Sequence, residues 1–256
     1  MKIGASVLAT KDIAIERSLE YFDSNKYIDY VEIIQQYPYR EIDEDEKLID
    51  TINSYDLKYT IHAPFIDINI ASLNSAVSNT SVSEIKRSVD LANIIDSDII
   101  VVHPGIIGFN GRGKEELIYK IAEDKLKDIG DYAKDNGVNA CIENLPNIID
   151  FMYVDLNLLE KTLEKLKLPM TLDIGHAHTA GFTPDEIYFD SVKHIHVHDN
   201  NGRDDTHLAL GEGTFDLNRF FDIFAKNKYD GIYMLELNSI DSIEKSIEFM
   251  KNLNLI

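Results

Sequence analysis

Eight short apolar runs, most of them rich in Val and Ile, recur along the 256 residues, about one every 32. They are Ile3–Leu8, Tyr30–Ile34, Lys58–His62, Asp98–His103, Val138–Glu143, Met170–Asp173, His194–His198 and Ile232–Glu236. Most are continuous rather than alternating, the pattern of strands covered on both faces. Helical periodicity fills the gaps. Ile13, Ala14, Ser18, Leu19 and Phe22 share one face of a helix, as do Val82, Ile85, Val89, Ala92 and Ile95. A long helix is predicted from about Lys114 to Asn136, stopping at Gly137. Thr183-Pro184-Asp185-Glu186 reads as the start of another, with Thr as cap and Pro at the first helical position. The acidic cluster Glu41–Glu46 is placed at the opening of the second helix, where negative charge suits the helix dipole. Alternating βα units imply a parallel sheet. Eight of them in this length predict one closed (β/α)₈ barrel spanning residues 1–256 as a single domain, with a doubly wound open sheet as the alternative.

The ends of the strands carry the chemistry. The eight histidines are His62, His103, His176, His178, His194, His196, His198 and His207. All are expected within strands, at their C-terminal ends, or in the loops just beyond. Glu143, Asp173 and Glu236 end three more of the runs. In a closed barrel those ends converge on the active-site mouth. Six consecutive strands ending in His, His, Glu, Asp, His and Glu therefore predict a metal site. Imidazole with carboxylate suits zinc, and a more oxygen-rich set suits manganese or magnesium. A single histidine would more often be a hydrogen-bonded core or surface residue, so it is the convergence that argues for metal.

Charge and composition exclude several classes. Lys and Arg number 25 against 45 Asp and Glu, a formal net charge of −20. Such a surface repels a polyanion at long range, which disfavours broad nucleic-acid binding. The one cysteine, Cys141, lies in an apolar run and reads as a small buried hydrophobe, with no disulfide framework. No apolar run approaches the ~20 residues of a membrane span. The chain opens directly on a strand, so a cytoplasmic protein without membrane contact is expected. Gly108-Phe109-Asn110-Gly111-Arg112-Gly113-Lys114 fits G-x-x-x-x-G-K, but Glu115 follows where a phosphate loop needs Ser or Thr. Its surviving role is a mouth loop from which Arg112 or Lys114 could touch a substrate phosphate.

These motifs carry a resemblance. Ile61-His62-Ala63-Pro64-Phe65, Val102-His103-Pro104-Gly105, Ile142-Glu143-Asn144, Leu172-Asp173-Ile174-Gly175-His176, His196-Val197-His198-Asp199, Asp205-Thr206-His207, Leu210-Gly211-Glu212-Gly213 and Leu235-Glu236 occur in order. Together they resemble the xylose isomerase-like, AP-endonuclease-family-2 TIM barrels. Within that superfamily the ligand pattern is similar to endonuclease IV, which holds three zinc ions with nine side chains. The resemblance implies His62, His103 and Glu143 on one zinc, with Glu143 bridging. It implies Asp173, His196 and Glu236 on a second, and His176, Asp205 and His207 on a third.

Two chemistries follow. In the first, a divalent-metal isomerase or epimerase acts on a small sugar or sugar phosphate. Glu143 and Glu236 face opposite sides of a hydroxy-ketone, one removing a proton from carbon and the other returning it. His198, Arg112 and Glu32 are the candidate substrate contacts. In the second, a trinuclear zinc site hydrolyses phosphoesters, as in an abasic-site DNA endonuclease. The extra ligands favour hydrolysis. The acidic surface and the acidic second strand, Val31-Glu32-Ile33, favour the sugar, as does the loop Asp199-Asn200-Asn201-Gly202-Arg203, where the nuclease motif places Lys. The reading adopted is the isomerase, with DNA as partner only under the alternative. A metal-binding protein without chemistry is a third, weaker reading.

Overall fold

The computed structural model describes residues 1–37 and 41–256. Eight parallel strands close in sequence order into one barrel. They are β1 (Lys2–Ser6), β2 (Tyr30–Ile34), β3 (Lys58–His62), β4 (Ile99–Val102), β5 (Asn139–Glu143), β6 (Met170–Asp173), β7 (Val192–Val197) and β8 (Ile232–Leu235). β1 pairs with both β2 and β8, so the sheet has no free edge. The open-sheet alternative is thereby excluded.

The α-helices α1 (Ile15–Ser24), α2 (Glu46–Asn53), α3 (Ser75–Ile94), α4 (Glu115–Asp135), α5 (Leu156–Leu166), α6 (Ile174–Thr179), α7 (Leu217–Lys226) and α8 (Ile240–Asn252) follow the strands in turn. Short polar side chains cap most of them. Asp45 accepts from Leu48 N, Asn74 from Ala76 N and Asp155 from Asn157 N. Gly137, at φ +75°, takes the left-handed turn that ends the chain's run through α4.

Two local expectations are corrected. Thr183-Pro184-Asp185-Glu186 does form a capping box, but what it caps is a single 3-10 turn, Pro184–Glu186. Ile187 just after it is fully buried and turns the chain inward toward β7. His176 and His178, expected in loops, lie within α6, because Asp173 at the end of β6 caps a helix there by accepting from His176 N at 2.7 Å.

Most of the core lies between strands and helices. A smaller cluster of Ile99, Cys141, Ile232 and Met234, with Tyr30 against it, plugs the lower barrel. Gly4 makes room for it: a Cβ there would stand 2.4 Å from the Met234 Cε. Cys141 is buried as expected, and burial pushes its thiol up to about 12. β2 shows how the interior changes upward. Tyr30 packs on the plug, Glu32 two residues on is wholly buried among polar partners, and Ile34 reaches the cavity at the mouth.

Candidate metal centre

Above the plug the barrel fills with carboxylates and imidazoles. Glu143, Asp173, His196 and Glu236, from four consecutive strand ends, bring one donor atom each within 4.8 Å of one another. His62, His103 and Glu143 form a second such group, and His176, His198, Asp205 and His207 a third. These groups coincide with the three expected from the sequence, with His198 added to the last. A fourth, unexpected group lies deeper: Glu32, His194 and His196, all fully buried.

Glu143 joins the first two groups. Its Oε2 lies 3.0 Å from His103 Nε2 and 3.3 Å from His62 Nε2, while its Oε1 is 3.0 Å from His196 Nδ1. Glu236 Oε2 stands 3.2 Å from the same His196 Nδ1. Asp205 Oδ2 lies 3.1 Å from His176 Nε2 and 3.2 Å from His207 Nε2.

The histidines are oriented from behind. His62 Nδ1 meets the Ala63 carbonyl, His176 Nδ1 the Asn144 carbonyl and His207 Nδ1 the Glu236 carbonyl, each at 2.8 Å. A carbonyl only accepts, so Nδ1 donates and Nε2 is the nitrogen turned to the cluster. Metal-binding imidazoles are held in this way. Asn144 also donates to the Asp173 carbonyl and accepts from Asp173 N, locking the end of β5 to β6.

The electrostatics are those of a cation site. Burial opposes charge, yet Asp173 and Asp205 carry His176 up to about 10. Against the same burial, Asp205 and Glu236 carry His207 up to about 9. His196 is raised well above its ordinary value by Glu32, Glu236 and Glu143. Despite complete burial, Glu236 is held down to about 2, chiefly by His196, and Glu143 far below the carboxylate range by His196 and His103. Burial dominates at His103 and His194, which are lowered.

The residues fit a divalent metal. Glu143 Oε2 and Asp205 Oδ1 are buried without a hydrogen-bond partner, although imidazole nitrogens stand close by. Donors about 2.0–2.1 Å from a tetrahedral zinc stand about 3.3 Å from each other, the spacing seen here. The mixed imidazole–carboxylate set suits zinc, with manganese or magnesium favoured only where oxygen donors dominate.

The remaining sequence candidates fall elsewhere. Glu32 lies beneath the cluster, bonded by Thr60 and His194 and 3.1 Å from His196, away from the cavity. His198 is fully buried within the third donor group and does not line the cavity, its Nε2 3.1 Å from Asp173 and its ring stacked 4.0 Å from that of His207. Arg112 is held bidentately by Asp150, at 3.0 and 2.5 Å. Neither Arg112 nor Lys114 lines the mouth cavity.

One organising residue escaped the sequence reading. Asp199 accepts from the backbone N–H groups of Asn200, Gly211, Gly213 and Phe215. It thereby closes the loop that carries Asp205 and His207. Gly213 has no alternative, since a Cβ there would fall 2.2 Å from Asp199 Oδ1. The Leu210-Gly211-Glu212-Gly213 motif was the signal, and this is its mechanical reason.

The xylose isomerase-like TIM-barrel family model matches residues 26–253. An uncharacterised protein of Methanocaldococcus jannaschii is 32% identical, over 98% of this chain and 88% of its own length. A probable endonuclease 4 of Malacoplasma penetrans is 27% identical, over 78% of this chain and 76% of its own. Among solved structures, a D-tagatose 3-epimerase-like protein superposes with a TM-score of 0.88 at 30% identity, covering 98% of this chain and 96% of that one.

Proposed function

The chain belongs to the xylose isomerase-like TIM-barrel family, and from that premise we propose that it is a metal-dependent isomerase or epimerase of a small sugar-like hydroxy-ketone. The observation that carries this reading is the placement of Glu143 and Glu236. Both line one cavity, and each stands beside the same His196 Nδ1, at 3.0 and 3.2 Å. The likeness to a D-tagatose 3-epimerase-like structure supports it.

Glu143, Asp173, His196 and Glu236 would hold the central metal, with His62 and His103 beside Glu143 and the His176, Asp205 and His207 group offering further sites. Bound there, a divalent ion supplies Lewis-acid stabilisation of negative charge on the substrate oxygens. The chain's own groups move the proton. Glu236 is ionised at neutral pH and stands ready to take a proton from the carbon next to the carbonyl. Glu143, beside the same His196 Nδ1 and itself held ionised, would return a proton to that carbon after taking one up from solvent, while Glu236 gives its own up to solvent. The Asn144, Ala63 and Glu236 carbonyls keep His176, His62 and His207 in one orientation throughout.

A second reading, an endonuclease IV-like phosphoesterase, has one observation in its favour. The group His176, His198, Asp205 and His207 goes beyond what a single-metal isomerase needs. The resemblance to a probable endonuclease 4 points the same way. The test is to assay metal-loaded protein on a panel of hydroxy-ketones, ketoses among them, and on a duplex with one abasic site. Interconversion of a hydroxy-ketone, lost in Glu236→Gln, supports the first reading. Incision without interconversion supports the second.

A further inference from the structure

The cavity at the mouth is lined by two unlike sets of residues. It measures about 770 Å³, toward the upper part of the range that takes a drug-sized ligand. One set is the donor cluster, His62, His103, Glu143, His176, Asp205, His207 and Glu236. The other is an apolar wall of Phe65, Ile66, Ile68, Ile106, Ile148 and Phe151, with the Phe65 ring packed on those of His62 and His103. Among the described residues no Lys or Arg lines it.

The wall also has few free polar groups. Asn69 spends its Oδ1 on the N–H of Ala71 and of Ile106, and its Nδ2 on the Ile106 carbonyl. Asn238 donates to the Thr206 carbonyl. The Phe65 and Ile66 N–H groups are taken by Gln36 Oε1, at 3.2 Å each. Asp67 is an exposed carboxylate, which repels an anion. Meanwhile Ile66, Ile106 and Ile148 are 51%, 38% and 47% exposed, and all three line this one cavity. Apolar surface grouped in this way marks a binding site.

A sugar carries a hydroxyl on nearly every carbon, and along this wall few of them would find a partner to replace lost water. Among the described residues a phosphate would find no Lys or Arg lining the cavity to pair with it. We infer that the substrate is a hydroxy-carbonyl compound whose remainder is an uncharged apolar group, alkyl or aryl, seated on Phe65, Ile68, Ile106, Ile148 and Phe151. This rests on the metal-centred reading above, because the cluster and the wall line one cavity: a ligand that fills it from the donors meets the wall.

The experiment is calorimetric titration of zinc-loaded protein with three chelators: acetohydroxamate, hexanohydroxamate and phosphoglycolohydroxamate. A buried methylene is worth about fourfold in affinity. Hexanohydroxamate should therefore bind at least about tenfold tighter than acetohydroxamate, and phosphoglycolohydroxamate no tighter. In Ile106→Asp and Ile148→Asp the ratio of the first two affinities should fall at least about fivefold. Both positions are more than a third exposed, so the fold tolerates the change. Equal binding of the two alkyl chelators, an unchanged ratio in both variants, or tighter binding of the phosphorylated one overturns the inference while leaving a metal centre in place. Failure of all three to bind in a zinc-dependent way overturns the metal-centred reading, and the inference with it.

Discussion

Glu32 Oε1 lies 3.1 Å from Nε2 of His196, on the wholly buried side of that imidazole, so Nδ1 is the nitrogen presented to Glu143 and Glu236. Glu32 therefore acts on the cluster from below. Removing its charge while keeping its shape, as in Glu32→Gln, should weaken metal binding about 10–100-fold with the fold retained. Glu32→Leu should go further, leaving two buried imidazoles without their anion at a cost of about 3–5 kcal/mol. Zinc titration and thermal melts of both variants check this. Wild-type zinc affinity in both would remove Glu32 from the account.

The metal-free protein should lose stability as pH rises past neutrality. His176 and His207 stand at about 10 and about 9, against an ordinary 6.5. A raised folded value means that the folded state binds more protons, so the contribution is complete below 6.5 and fades as pH climbs through 9 to 10. Asp205 is depressed, and its contribution fades as pH falls below 3.8. Melting temperature of chelator-treated protein should peak between these limits. A melting temperature that climbs steadily to pH 10 would contradict the assignment.

Zinc must displace those protons. At pH 7.5 zinc uptake should release protons into the medium, and affinity should rise with pH. Calorimetry in buffers of different ionisation enthalpy measures the number released. Zinc binding that releases none would mean that it does not use His176 and His207.

Cys141 should be inert in the folded state. It is fully buried, and burial carries its thiol up to about 12. A chromogenic thiol reagent at pH 8 should find no reactive thiol in native protein and one per chain after unfolding. Prompt labelling of native protein would contradict the packed lower barrel.

Much of this was legible in the sequence, for physical reasons that also explain the misses. β2, β3 and β6 fall on their expected residues because the short runs Tyr30–Ile34, Lys58–His62 and Met170–Asp173 are bounded by polar residues or turns. The three donor groups were legible because strand ends in a closed barrel must converge. Asp173 and His176 had two meanings at one spacing: the Asp-x-x-His separation read as a ligand motif is also that of a helix cap, and here Asp173 caps α6 at His176 N while the two side chains join different donor groups. His194, His196 and His198 sit at i, i+2 and i+4, which puts them on one face of a strand. That signal could have placed His194 beneath the cluster and His198 within it. No spacing could show that Glu32 points inward to meet them, because their partnership spans 162 residues. Arg112 beside a Gly-rich loop suggested a phosphate contact, and its pairing with Asp150 depends on a residue 38 positions away.

Proton transfer by the pair Glu143 and Glu236 calls for a variant of each. Glu236→Gln and Glu143→Gln should each lower turnover about 10²–10⁴-fold while the melting profile stays folded. Near-parental turnover in Glu236→Gln with metal still bound would take it out of the chemistry.

The account turns on carbon–proton exchange at the metal centre, and that can be watched directly. Zinc- or manganese-loaded protein would be incubated with a panel of hydroxy-ketones, including alkyl- and aryl-substituted ones, in deuterium oxide and followed by proton NMR. The account predicts that deuterium enters the carbon beside the carbonyl of at least one member, and that Glu143→Gln and Glu236→Gln abolish the exchange. No exchange in any member, together with cleavage of an abasic-site duplex by the same preparation, would contradict it.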